Sequence, residues 1–110
     1  MEWKLLTAFE QIDHIINESF SKPVVIFKHS TRCSISHIAK GRLERESPPP
    51  NIDFYYLDLI NYRDISNQLA SKFSVHHESP QILLISMGEC VYDESHSGID
   101  MNEIIDQIEA

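Results

Sequence analysis

Positive charge is scarce in this chain: nine lysines and arginines face 17 acidic residues, giving a formal charge of −8. A general nucleic-acid binder is thereby excluded, because phosphate contacts require a basic face. Cysteine is scarce too. Cys33 and Cys90 are the two present, too few for the disulfide framework of a small secreted scaffold, so reduced thiols and a cytoplasmic location are expected. No apolar run approaches the roughly 20 residues of a membrane-crossing helix, so no membrane partner is expected. The start Met1-Glu2-Trp3-Lys4 lacks the basic-then-apolar order of a secretion signal. His29, His76, His77 and His96 show no zinc-type spacing, so no metal is expected. Ser30 and Ser36 stand near histidine without a nucleophile elbow, which removes the hydrolase reading.

What remains is an ordinary globular composition, 42% apolar and 24% charged, in 110 residues. That length suits one domain over residues 1–110 with a real core. Trp3–Leu6 reads as a short strand. Thr7 and Glu10 then have the spacing of a capping box, followed by Phe9, Ile12, Ile16 and Phe20 as a buried helical stripe. Pro23 breaks that pattern before a β-branched strand, Val24–Lys28. A second helix is predicted from about Ser34 to Glu46, with Ile35, Ile38, Ala39 and Leu43 inward, ended by Pro48-Pro49-Pro50. Ile52–Leu59 is apolar on both faces and reads as a central strand. A helix over Arg63–Phe73 follows, then a strand Gln81–Ser86, a turn at Met87-Gly88-Glu89, and a strand Cys90–Asp93. Asp100 and Glu103 open a last helix carrying Met101, Ile104, Ile105 and Ile108 on one face.

The order β-α-β-α-β-α-β-β-α implies an α/β fold: a mixed sheet, parallel at first and antiparallel at the late hairpin, with helices on both faces. Active groups in such sheets gather beyond the carboxyl ends of the strands. Cys33 falls there, where the second helix begins. A thiol at a helix start faces unpaired backbone N–H groups and the positive end of the helix dipole, and both favour thiolate, the reactive form. Lys28, His29 and Arg32 add local positive charge suited to an anionic substrate. Ser36 stands three positions after Cys33, where a second cysteine would close a disulfide. Serine cannot form that bond, but its hydroxyl can donate to a nearby thiolate. Such a site can take a partner as a mixed disulfide and needs a separate thiol to resolve it. Cys90, followed by Val91 and Tyr92 at a strand start, reads as a packing residue, with a resolving thiol as the alternative.

The segments Phe27–Ser36, Tyr56–Leu59 and His77–Gln81 together resemble the YtxJ-type monothiol bacilliredoxins, and the resemblance spans nearly the whole chain. It implies a thioredoxin-like three-layer α/β/α sandwich serving the bacillithiol system of low-GC Gram-positive bacteria. It further implies that Pro80 is a cis-proline lying against the reactive cysteine. The implied partners are bacillithiol, as a thiol co-substrate, and S-bacillithiolated client proteins, with no tightly bound cofactor. On that basis Cys33 is the nucleophile, Ser36 its hydrogen-bond donor, and Ser79 and Pro80 dock the substrate backbone. Lys28 and Arg32 attract the bacillithiol carboxylates. Ser34 departs from the family, where proline is common and would fix the first helical turn. The competing readings are a non-catalytic redox sensor, an iron–sulfur carrier, and a glutathione- or coenzyme A-linked exchange protein.

Overall fold

A computed structural model describes residues 1–109. It places β1 at Trp3–Leu5, α1 at Glu10–Glu18, β2 at Val24–His29, α2 at Ser34–Arg45 and β3 at Asp53–Asp58. There follow α3 at Arg63–Phe73, β4 at Gln81–Ser86, β5 at Glu89–Ser95, a short 3-10 turn at His96–Gly98, and α4 at Met101–Glu109. The sheet order is β1-β3-β2-β4-β5. The first three of these strands run parallel, while β4 opposes β2 and β5 opposes β4. The α/β architecture expected from the alternation of elements is the one observed.

Side chains of a strand alternate between faces, and β2, in the middle, is buried along its whole length. Val24 and Ile26 pack with Ile12 and Ile15 of α1 and Ile65 and Leu69 of α3. Val25 and Phe27 pack on the other side with Ala39 and Leu43 of α2 and Met101 and Ile104 of α4. The same alternation carries Lys28 to the α1/α3 face and His29 to the α2/α4 face. Two consecutive polar residues are thereby separated by the thickness of the sheet.

Several local expectations are corrected. The helix α1 begins at Glu10 with Phe9 as the flanking residue, so Thr7 and Glu10 form no capping box. Gln11 ties down the chain leading into the helix instead: its Oε1 accepts the backbone N–H groups of Thr7 at 2.7 Å and Ala8 at 2.9 Å. Ile12 and Ile15 form the buried face, whereas Phe9 and Phe20 are exposed. In α2 the inward residues are Ser36, Ala39 and Leu43. Ile35 and Ile38 are instead 52% and 60% exposed, forgoing roughly 1.5–3 kcal/mol of burial apiece. The helix is rotated to this phase because Ser36 is tied to β2. The hairpin between β4 and β5 turns through Met87 and Gly88 at φ 53° and 81°, the paired positive angles of a tight primed turn.

Candidate active site

Cys33 flanks the start of α2 with extended backbone, φ −113° and ψ 120°. The turn that presents it is closed by its own N–H donating to Ser30 O at 3.1 Å, and its carbonyl accepts the His37 N–H at 3.2 Å. The thiol is free and partly exposed, just past the carboxyl end of the central strand. His37 Nε2 lies 2.9 Å from Thr31 O and holds the middle of the same turn.

Ser36 is fully buried. Its hydroxyl oxygen accepts the Ser30 N–H at 3.0 Å and lies 2.7 Å from His29 Nδ1. These contacts differ from the expected donation to Cys33: the hydroxyl is engaged by the strand end and the loop. The sequence places His29 only in a local positive cluster with Lys28 and Arg32; the structure makes it the buried partner of Ser36. The alternation within β2 is the signal that could have placed it, since it sets His29 on the face where α2 packs. Burial pushes the His29 imidazole below its ordinary range, with His37 and Lys40 adding to the effect.

Lys28 is 1% exposed on the opposite face, so it is withdrawn from the surface where an anion would approach. Its Nζ donates to His77 Nδ1 at 3.0 Å. Burial, then the nearby Arg63, pushes this ammonium down to about 8, against the pull of Asp93 and Glu78. Arg32 is exposed next to Cys33. The peptide Ser79-Pro80 is cis. Lys28 pairs with Gln81 across the β2–β4 ladder, so one step further sets Pro80 alongside His29, at the same end of the sheet as Cys33. The Pro80 carbonyl accepts the His96 N–H at 3.0 Å. Gln81 braces the loop by donating to His76 O at 3.0 Å and accepting from Glu78 N at 3.3 Å. Among the described residues the buried Ser79 Oγ has no hydrogen-bond partner.

Ile35, Ile38, Arg42, His96 and Ser97 line a largely apolar cavity of about 300 Å³ at this end of α2. A larger one, about 570 Å³, lies among Trp3, Pro48, Asp53 and Phe54 at the far end of the sheet, away from the thiol. Cys90 is also remote. It pairs with Ile85, which sits opposite Val24, so about 16 Å of strand separates its level from the site end. Burial pushes the Cys90 thiol up to about 11. Among the described residues no group of three or more His, Cys, Asp or Glu side chains is placed to hold a metal. No helix among them is long and apolar enough to cross a membrane.

A free thiol at a helix start beyond a central strand, beside a cis-proline loop, defines a thioredoxin-fold oxidoreductase site, and solved structures share the fold. One described as an oxidoreductase with a thioredoxin fold is 32% identical, with TM-score 0.79, covering 94% of this chain and 90% of that one. The thioredoxin of Malassezia sympodialis is 16% identical at TM-score 0.74, covering 98% and 89%. Fasciola hepatica thioredoxin is 20% identical at TM-score 0.68, covering 96% of each. Residues 4–104 match the family model of the monothiol bacilliredoxin BrxC, and the chain belongs to that family.

Proposed function

We propose that this protein removes bacillithiol from S-bacillithiolated protein cysteines by thiol–disulfide exchange at Cys33. The thiolate of Cys33 attacks the bacillithiol sulfur of the client's mixed disulfide. A Cys33–bacillithiol bond forms, the bond to the client sulfur breaks, and the client cysteine leaves as thiolate. A second bacillithiol then attacks the sulfur held on Cys33. Bacillithiol disulfide departs and Cys33 is regenerated, so the client is reduced at the expense of one free bacillithiol thiol, the other half of the disulfide coming from the client.

The observation that carries this reading is the arrangement of the remaining groups. A serine fixed at 2.7 Å from His29 occupies the place of a second thiol, and Cys90 stands at the other end of the sheet. The chain cannot close the mixed disulfide on itself, so an external thiol has to. Ser79 and Pro80 are assigned to docking the client backbone, and the apolar cavity beside Ile35 and Ile38 to a client side chain. Arg32 is the exposed cation for the carboxylates of bacillithiol. Lys28 contributes by holding His77 and hence the docking loop. A cytoplasmic site of action accords with the reduced thiols.

Incubation with a bacillithiolated client and excess bacillithiol should release client thiol over many turnovers, and Cys33→Ala should reduce release about 100-fold or more. Equal release by the alanine variant would end this reading. A Cys33 adduct that forms once without turnover would instead favour a sensor. Faster regeneration by glutathione or coenzyme A would reassign the small thiol.

A further inference from the structure

His29 closes β2 against α2 and is 1% exposed. Its ring stacks on Phe27 with centroids 5.7 Å apart, meets His37 edge-on at 4.7 Å, and tilts against Tyr56 at 5.4 Å. The contact with Ser36 is therefore held in a fixed geometry by the ring's packing.

A serine hydroxyl has one proton and two lone pairs. The Ser30 N–H takes one lone pair of Ser36 Oγ. With Nδ1 of His29 bare, the hydroxyl proton goes to the ring, and none remains for a thiolate at the start of the helix, three residues earlier. With Nδ1 protonated, the ring donates into the second lone pair and the hydroxyl proton is released. The 2.7 Å contact is compatible with both directions, and what decides between them is the protonation of one buried nitrogen.

We propose that His29 is a positioning residue that accepts the Ser36 hydroxyl through a bare Nδ1, so that the proton is withheld from Cys33 until the imidazole is protonated. Reversal of that bond then turns the hydroxyl toward the sulfur. The groups facing the ring are His37 and Lys40 of α2, which oppose its protonation, and Asp58 of β3, which favours it. Tyr56 of β3 completes the set. Burial outweighs Asp58 and disfavours the charged ring. The inference rests on Cys33 being the exchange nucleophile, and it adds a control that neither the fold nor the Cys-x-x-Ser spacing contains.

Nitrogen NMR of the imidazoles in the unmodified, reduced protein near neutral pH tests the resting state. Nδ1 of His29 should be unprotonated, and a protonated Nδ1 overturns the proposal. The coupling is tested by alkylation of Cys33 with iodoacetamide. His29→Phe keeps a flat ring and removes the acceptor, so the freed hydroxyl should speed alkylation about threefold, the gain in thiolate being partly offset by lower nucleophilicity. Adding Ser36→Ala to His29→Phe should cancel that gain. No gain, or a gain that survives Ser36→Ala, overturns the proposal. Client release by the same unmodified preparation separates the two levels. Its absence would remove the exchange reading itself, whereas release with uncoupled variants removes only the role of His29.

Discussion

Adjacent side chains on β2 have opposite destinies, and Lys28 shows what that costs. Its ammonium is held at about 8, below its ordinary 10.5, because burial disfavours the charge. Between those two values the unfolded chain binds more protons than the folded one, so stability rises with pH there; the burial penalty is fully present below 8. Lys28→Met should abolish this dependence. In denaturant titrations, the wild type should gain up to about 3 kcal/mol relative to the variant as pH rises from 8 to 10.5. Parallel pH profiles would contradict the assignment. A local reading of Lys28, His29 and Arg32 sees only a basic cluster. Its dispersal to two sheet faces and an exposed loop follows from the two-residue period of a strand buried on both sides.

The helices and turns around the site are fixed by single polar side chains. Arg42 of α2 donates from one guanidinium nitrogen to Ile99 O at 2.8 Å and Ser97 O at 3.3 Å, pinning the turn at His96–Gly98 that also receives the docking loop through Pro80. Charge-assisted bonds of this kind contribute about 1.5–3 kcal/mol. Arg42→Ala should lower stability by about that much and speed amide exchange at Ile99, whose N–H bonds to His96 O. Unchanged exchange there would mean that the turn holds itself. These long-range ties explain which elements were legible. Strand and helix identities follow from apolar period and proline breaks, and Cys33 from its place after a strand. The phase of α2 was not legible, because Ser36, a polar residue, faces inward through its bond to His29 and rotates Ile35 and Ile38 outward. Nor was the entry to α1, since Gln11 reaches back to Thr7 and Ala8 of the preceding loop and to Leu5 at the end of β1.

Taken whole, the molecule is an acidic body of −8 with extents of 34 × 29 × 23 Å. At an ionic strength near 0.01 M the screening length is about 30 Å, so an approaching anion feels the entire charge. At physiological salt it falls to about 8 Å, and only the surroundings of Arg32 and Cys33 count. Exchange between the Cys33 adduct and an anionic thiol should therefore accelerate about two- to fivefold with added salt, while a neutral thiol shows no change. A falling rate would mean that the local cation outweighs the rest. The doubly covered sheet was readable from the chain because alternation of elements dictates it; the pairing of Pro80 alongside His29 was not, since it depends on antiparallel register between distant segments.

Intact-protein and peptide mass spectrometry after one turnover with a bacillithiolated client, in the absence of free bacillithiol, is the most direct test. One bacillithiol should be found on the Cys33 peptide, in amounts matching the client thiol released, with Cys90 unmodified. Bacillithiol on Cys90, or client release with no label on Cys33, would contradict the account.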